Sequence, residues 1–224
     1  MTLRVLSTMG LAGVLGEIGS RVEIETTLLP TVLLMERICA GETADVAILL
    51  ADSIDALVRE RVLMPGRVDL ARSLVGIAVK EGAPKPDIST VEAFVAAMRA
   101  AKSLALSKAG ASGLYFAGLL ERLGIAEEVK AKAKIIPSGF TGELVRRGEA
   151  EIAVQQISEL KAVPGLDIVG TLPAGIESVS VFSAGIFAAS GRKEEAGALV
   201  AMLSAAEAED IYAANGLEKL PRPS

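Results

Sequence analysis

The stretch "PTVLLMERICAGETADVAI" (residues 30–48) decides the fold, because a similar stretch, "PSGFTGELVRRGEAEIAV" (residues 137–154), returns later in the chain. Pro30-Thr31 matches Pro137-Ser138 at a spacing of 107 residues, and the Gly-Glu pairs further on match at the same spacing. The strand-like runs that follow agree after a slip of one residue. An ordered repeat of this kind predicts two related α/β lobes rather than one long sheet.

Strand-like and helical runs alternate on both sides of this repeat. Upstream of it, "LSTMG" (residues 6–10) parallels "LSKAG" (residues 106–110) in the same order. Gly41, Gly124 and Gly148 each follow an apolar periodic run, as a glycine just past the C-terminus of a helix does. Strands that are apolar on both faces and joined through helices predict an α/β fold with mostly parallel sheets flanked by helices.

Two polar segments mark the passages between the lobes. "VKEGAPKPDIST" (residues 79–90) contains prolines, a glycine and mixed charge without an apolar period, and "LPAGIESVS" (residues 172–180) provides the return. The predicted lobes are 1–79 plus 181–224 for lobe one and 80–180 for lobe two, with hinge segments near 79–84 and 174–181. A ligand is expected in the cleft between the lobes.

Composition excludes several functional classes. The 224 residues are 51% hydrophobic but only 3% aromatic, and the net charge is −5. No apolar stretch is long enough to cross a membrane, and no basic run indicates a nucleic-acid partner. The chain has no histidine, which excludes Ser-His-Asp catalysis and histidine-based metal sites, so no metal and no cofactor are expected. Cys39 is expected to be a buried or partly buried structural thiol.

The N-terminal residues "MTLRVLSTMG" lack the charged and apolar regions of an export signal. The expected location is therefore the cytoplasm, or the periplasm if this sequence is a processed mature form.

Hydroxyl-rich turns follow four predicted strands, at the positions where helices begin. The unpaired N–H groups and the dipole of a helix N-terminus attract anions, and serine or threonine adds a hydroxyl donor. The same residues also serve as ordinary N-caps, so both interpretations stay open. Lys108 is the only cation in these turns and favours a carboxylate or phosphate ligand. The predicted ligand-binding residues are Ser7, Thr8, Met9, Thr31, Ser107, Lys108, Ala111, Ser112, Gly113, Ser138, Gly139, Gln155 and Gln156.

Several other polar and aromatic residues are interpreted structurally. Glu143 lies in the first turn of a predicted helix, where it complements the dipole. Tyr115 and Phe116 are predicted to pack, and Arg72, Arg146 and Arg147 to be surface charges. No residue stands out as a catalytic base.

These segments together resemble the type II periplasmic solute-binding proteins, and within them the molybdate-binding branch. The resemblance rests on "LRVLSTMG", "LLPTVLLMERICAGETADVAIL", "GASGLYFAGLLERLGI" and "RRGEAEIAVQQISEL", and it covers nearly the whole chain. It implies a two-lobed fold with a two-strand hinge that closes on one ligand, and a transporter permease as partner if the protein is exported. By the same resemblance the ligand contacts fall on Ser7, Thr8, Thr31, Ala111, Ser112, Ser138, Gln155 and Gln156.

Two departures from the molybdate-binding pattern favour an organic acid as the ligand. "QQISEL" lacks the tyrosine that those proteins place late in the second lobe, and Lys108 brings a charge into a turn that they keep uncharged. The leading hypothesis is a receptor or sensor that binds a small anion, either an oxyanion such as molybdate or a small carboxylate. The alternative is a cofactor-independent isomerase of a polycarboxylate, since some proteins of this kind isomerise aconitate. The third hypothesis is a regulatory or partner-docking pair of lobes with a vestigial cleft.

Overall fold

The chain forms two units and passes between them twice. Unit 1 comprises residues 1–73 and 180–224, and unit 2 comprises residues 74–179. The computed structural model describes residues 2–221. The first passage falls inside a continuous strand, Val68–Lys80, so the polar segment 79–90 lies wholly in unit 2 instead of marking the passage. None of the helices within residues 2–221 is long and apolar enough to cross a membrane.

Unit 1 begins with alternating strands and helices and ends with a helical segment. Its elements in chain order are β1 (Leu3–Ser7), a 3-10 turn (Met9–Leu11), α1 (Ala12–Gly19), β2 (Ile24–Leu28), α2 (Thr31–Cys39), β3 (Val46–Leu50), α3 (Ala51–Arg59) and the first part of β4 (Val68–Lys80). After the return of the chain come β9 (Val179–Ile186), α9 (Lys193–Ser204), a 3-10 turn (Ala206–Ala208), α10 (Glu209–Ala214) and β10 (Glu218–Lys219).

The sheet of unit 1 is a parallel trio with one antiparallel neighbour. β1 pairs in parallel with β2 on one side and β3 on the other, and β3 pairs antiparallel with β9. Side chains alternate between the two faces: Leu3 and Val5 enter one hydrophobic cluster, whereas Leu6 enters the other. Both faces are therefore covered, which is why these strands read as continuous apolar runs.

Unit 2 repeats this organisation over residues 74–179. After the second part of β4, its elements are α4 (Val91–Ala100), β5 (Leu104–Ser107), α5 (Ala111–Arg122), α6 (Ala126–Lys130), β6 (Ala133–Ile136), α7 (Gly142–Arg146), β7 (Ile152–Gln156), α8 (Ile157–Lys161) and β8 (Leu166–Thr171). β5 pairs in parallel with β6 and β7, while β4 pairs antiparallel with β7 and β8.

The strand order confirms the internal repeat. The order β2-β1-β3-β9 of unit 1 corresponds to β6-β5-β7-β4 of unit 2, and in both the fourth strand is antiparallel. Gly41 and Gly148, which match in the repeat, both have positive φ, at +100° and +74°. Gly124 likewise has a φ of +67°. Glycine adopts this conformation without strain, so the three predicted helix ends are confirmed.

The structure corrects one local expectation and confirms others. Cys39 is exposed rather than buried, because it is the last residue of α2 and follows the buried face of that helix by one position. Phe116 packs edge-on against Phe94 with ring centroids 6.1 Å apart, as a packing residue should. Arg72 forms an exposed ion pair with Glu218, and Arg146 and Arg147 form exposed pairs with acids of their own segment.

Candidate functional site

One edge of the unit 2 sheet collects most of the predicted ligand-binding residues. Because β5, β6 and β7 are parallel, their carboxyl ends lie at the same edge, and each is followed by one of the predicted turns. Ser107 pairs with Ile136 across the strands, and the N–H of Lys108 donates to the carbonyl of Ile136 at 2.8 Å. The loop after β5 and the Ser138 turn after β6 therefore lie beside each other, where ligands of open α/β sheets bind.

The loop from Ser107 to Gly110 is held by its own serine. Ser107 is buried, and its Oγ accepts the N–H of Gly110 at 3.1 Å. α5 then begins at Ala111, and its first backbone bond runs from the N–H of Leu114 to the carbonyl of Gly110 at 3.0 Å. The N–H groups of residues 111–113 precede this ladder, so they have no partner four residues back within the helix.

Two glycines allow close approach of neighbouring groups in this loop. A Cβ on Gly113 would stand 1.7 Å from the carbonyl oxygen of Ser107, so the start of α5 lies directly against the end of β5. A Cβ on Gly110 would stand 2.9 Å from the Oγ of Ser107 and 3.7 Å from the Oγ of Ser112. Gly110 thus leaves a small space beside two hydroxyl groups, which we call the Gly110 cradle.

The Gly110 cradle contains an unsatisfied polar group, and the loop that leads to it carries an unpaired cation. The Oγ of Ser112 is buried and has no hydrogen-bond partner among residues 2–221. Buried hydroxyls usually have a hydrogen-bond partner, so this hydroxyl has capacity left for a ligand. Lys108 is exposed, and over the same residues its ammonium group forms neither an ion pair nor a hydrogen bond. The loop therefore offers hydroxyl, amide and ammonium donors to an anion.

Gln155 supports the neighbouring turn with every polar atom of its side chain. Its Oε1 accepts from the N–H of Thr141 at 2.8 Å and from the Oγ1 of Thr141 at 2.9 Å. Its Nε2 donates to the carbonyl of Gly139 at 3.0 Å, and the amide also bonds the carboxyl of Glu159. Gln155 therefore holds the turn that carries Ser138.

Gln156 and Glu159 form a capping box at the start of α8. The side chain of Gln156 accepts the backbone N–H of Glu159, and the carboxyl of Glu159 accepts the N–H of Gln156 at 3.3 Å. Glu159 is only 7% exposed, and burial raises the pKa of its carboxyl to about 7 although the hydrogen bonds from Gln156 and Gln155 lower it. Both glutamines of "EIAVQQ" therefore form hydrogen bonds to nearby protein groups, and these bonds position the turn after β6 and the start of α8.

Unit 1 places its predicted donors at the equivalent edge of its own sheet. The N–H of Thr8 donates to Ile48 at 2.8 Å, and the Oγ of Ser7 donates to the carbonyl of Thr8 at 3.0 Å, so the turn after β1 is held on both sides. Thr8 and Thr31 are buried as residues, yet within residues 2–221 neither hydroxyl has a hydrogen-bond partner. Met9 is buried in the 3-10 turn that follows.

The helix N-termini near these donors share an electrostatic feature. α1, α2 and α5 have no acidic residue in the first turn, whereas every other helix within residues 2–221 has at least one. An acid in the first turn neutralises the positive end of the helix dipole. The three helices that follow the predicted anion-binding turns after β1, β2 and β5 keep that positive end uncompensated, while α7 has Glu143 in its first turn, paired with Arg146 at 2.8 Å.

Two features of this site could not be predicted from the sequence. Glu159 is an unremarkable acid in "QQISEL", and only the packing of α8 against β7 and β8 reveals that it is buried. The small residues of the turn 110–113 favour close backbone approach, but the position of two serine hydroxyls beside Gly110 is visible only in the structure. The distribution of acids in first turns, by contrast, is visible once the helix starts are known.

Comparison with known proteins identifies the family of this chain. Residues 3–218 match the family described as bacterial extracellular solute-binding protein. An aconitate isomerase of Pseudomonas sp. is 36% identical to this chain, and the match covers 98% of this chain and 88% of that enzyme.

Solved structures with the same fold are more distant in sequence. The periplasmic molybdate-binding protein of Azotobacter vinelandii superposes with a TM-score of 0.76 at 18% identity and covers 98% of this chain and 99% of its own. The sulfate-binding protein of Mycobacterium tuberculosis superposes with a TM-score of 0.75 at 14% identity and covers 98% and 87%. The fold is thus that of the type II periplasmic solute-binding proteins, and the chain belongs to the bacterial extracellular solute-binding protein family.

Proposed function

We propose that the protein binds a small polycarboxylate and interconverts the isomers of aconitate. The observation that carries the binding proposal is the loop after β5 and the first turn of α5, which together contain the unpaired ammonium of Lys108 and the buried, unpartnered hydroxyl of Ser112. The 36% identity to an aconitate isomerase along nearly the full chain supports the reaction.

The reaction needs charge stabilisation and one proton transfer. In aconitate a CH2 group lies between a carboxylate and the double bond, so removing one of its protons gives an allylic carbanion that the carboxylates delocalise. Returning the proton to the other end of the allyl unit moves the double bond, and no electrons enter or leave. Donors already aimed at the carboxylates stabilise the negative charge as it spreads onto them. We assign this part of the chemistry to the loop after β5 and to the ammonium of Lys108.

The binding proposal is tested by calorimetric titration with trans-aconitate, cis-aconitate and other di- and tricarboxylates. Lys108→Gln removes a charge-assisted bond worth about 1.5–3 kcal/mol, so affinity should fall by about tenfold or more. Lys102→Gln is the matched control, because Lys102 is an equally unpaired surface lysine that precedes β5 whereas Lys108 follows it. Equal loss of affinity in both variants would refute a specific role for Lys108, and no binding of any carboxylate would refute the proposal itself.

The catalytic proposal is tested separately, by NMR of the vinyl proton while the protein is incubated with each isomer. The expected result is that both starting isomers reach the same mixture, at a rate proportional to protein concentration. Lys108→Gln should slow the conversion and Lys102→Gln should not. Binding without conversion would leave a receptor and refute the isomerase.

An oxyanion receptor is the second candidate. It is favoured by the fold shared with a molybdate-binding and a sulfate-binding protein. In this case molybdate or sulfate should bind more tightly than any carboxylate in the same calorimetric titration. The two candidates also differ in the effect of Lys108→Gln, since a tetrahedral oxyanion held by neutral amide and hydroxyl donors would depend less on that lysine.

A further inference from the structure

Glu159 is a buried acid that no step of the proposed function uses. It lies in the first turn of α8 and is 7% exposed, whereas Glu92, which occupies the first turn of α4 in the same unit, lies at the surface. A capping-box acid normally keeps its carboxylate in contact with water, because burial of a charge is unfavourable unless it is paired. Within residues 2–221 the carboxyl of Glu159 has neutral partners, the N–H of Gln156 and the amide of Gln155.

These partners connect Glu159 to the turn that carries Ser138. The Gln155 amide bonds Glu159 on one side and the carbonyl of Gly139 on the other, while its oxygen holds Thr141. Gly139 has a φ of +104°, so the turn has a backbone conformation that few residues adopt, and Thr141 is fully buried. A change at the carboxyl is therefore transmitted to the Gly139–Thr141 turn through a single side chain.

We propose that Glu159 is a positioning residue that fixes the Gly139–Thr141 turn through Gln155, and that it takes up a proton when an anion binds at this edge of the sheet. The second half rests on the proposed function. The physical reason is repulsion between like charges: an ionised carboxylate two hydrogen bonds away from the turn disfavours a second anion there, and the neutral acid does not. Its carbonyl oxygen still accepts the N–H groups of Gln155 and Gln156, so the network persists in both forms.

The carboxyl of Glu159 can gain or lose a proton near neutral pH. Burial raises the pKa of Glu159 to about 7, so the acid is half ionised near neutral pH. α8 packs against β7 and β8, and the charged residues of α8, β8 and the neighbouring α7 are Lys161, Asp167, Glu143 and Arg146. Asp167 is engaged by the N–H of Gly82 and Glu143 by Arg146, and the pKa of Glu159 is set by burial, Gln156 and Gln155 rather than by any of these charges.

The experiment is calorimetric titration with trans-aconitate at pH 7 in two buffers of different ionisation enthalpy, which counts the protons taken up on binding. The wild type should take up a fraction of a proton, and its affinity should fall about threefold or more between pH 6 and pH 8. Glu159→Gln preserves an acceptor and removes the titration, so it should take up no proton and show a flat affinity profile. Glu92→Gln is the control and should behave as the wild type. Equal proton uptake in wild type and Glu159→Gln would overturn the proposal.

A readout without ligand separates this proposal from the proposed function. The amide resonances of Gly139 and Thr141 should shift with pH, with a midpoint near 7, in the wild type and in Glu92→Gln but not in Glu159→Gln. If they do so and no carboxylate binds, the positioning role stands and the polycarboxylate function falls. If neither resonance titrates in the wild type, Glu159 does not act on the turn and the proposal is refuted.

Discussion

Gly110→Ala is expected to weaken anion binding strongly while leaving the protein folded. The backbone of Gly110 has φ −73° and ψ 145°, which alanine adopts readily. The new methyl group would occupy the Gly110 cradle, 2.9 Å from the Oγ of Ser107 and 3.7 Å from the Oγ of Ser112. An anion oxygen and this methyl group cannot occupy the same space, so the substitution acts directly on the proposed site.

Gly110→Ala should change the free energy of unfolding only slightly, because the cost of a weakened hydrogen bond and the gain from a restricted unfolded chain are similar. The side chain of Ser107 must move by a few tenths of an ångström, which weakens its 3.1 Å bond from the N–H of Gly110 at a cost of about 1 kcal/mol. Replacing glycine restricts the unfolded chain and returns about 0.4–1 kcal/mol. The net change in the free energy of unfolding is therefore within about 1 kcal/mol. The loss of one hydrogen bond to a charged ligand, about 1.5–3 kcal/mol, lowers affinity by about 10- to 100-fold.

The assay is calorimetric titration with trans-aconitate, together with urea unfolding to measure stability. Gly118→Ala is the matched control, because Gly118 lies in the same helix and a Cβ there would meet only the end of Arg122 at 3.7 Å. The control should bind as the wild type does. A folded Gly110→Ala variant with affinity within twofold of the wild type would refute the assignment of the ligand to the cradle.

Three further outcomes concern stability. Tyr212→Phe should raise the free energy of unfolding, measured in urea titrations, by about 1 kcal/mol. The reason is that the buried hydroxyl of Tyr212 has no hydrogen-bond partner within residues 2–221. An unchanged free energy of unfolding would mean that this hydroxyl has a partner after all. Arg61→Gly should also stabilise by about 1 kcal/mol, since Arg61 has a φ of +61° just after α3, and a loss of stability would contradict this. The carboxyl of Glu159 has a pKa of about 7 in the folded state and about 4.5 in the unfolded state, so the folded state keeps the proton to higher pH. The free energy of unfolding of the wild type should therefore fall by about 2–3 kcal/mol between about pH 5 and pH 8. Glu159→Gln should remove most of this decline, and an equal decline in both proteins would show that another group is responsible.

Much of the architecture is readable from the sequence because the signals are local and repeated. Pro30-Thr31 and Pro137-Ser138 mark equivalent turns, and Gly41 and Gly148 mark equivalent helix ends, so two βαβ series follow from pattern alone. The antiparallel fourth strand of each unit is harder to foresee, because β4 and β9 differ from the parallel strands in partner and direction rather than in composition.

The site is readable only in part, for a different reason. Hydroxyl-rich turns after strands show where donors lie, but whether a side chain is free depends on neighbours that are distant in sequence. Gln155 and Ser112 illustrate this: both are buried and polar, yet the amide of Gln155 bonds Gly139 and Thr141 while the hydroxyl of Ser112 has no partner within residues 2–221. The burial of Cys39 was predicted wrongly for a similar reason. Cys39 follows the buried residue Ile38 by one position in α2, and adjacent positions of a helix point in different directions.

The most direct test of the central claim is a crystal structure of the protein grown with trans-aconitate. We predict a carboxylate of the ligand within hydrogen-bonding distance of the Ser112 Oγ and the Lys108 Nζ. A ligand bound elsewhere, or crystals in which the Ser112 hydroxyl stays unpartnered at saturating ligand, would contradict the account.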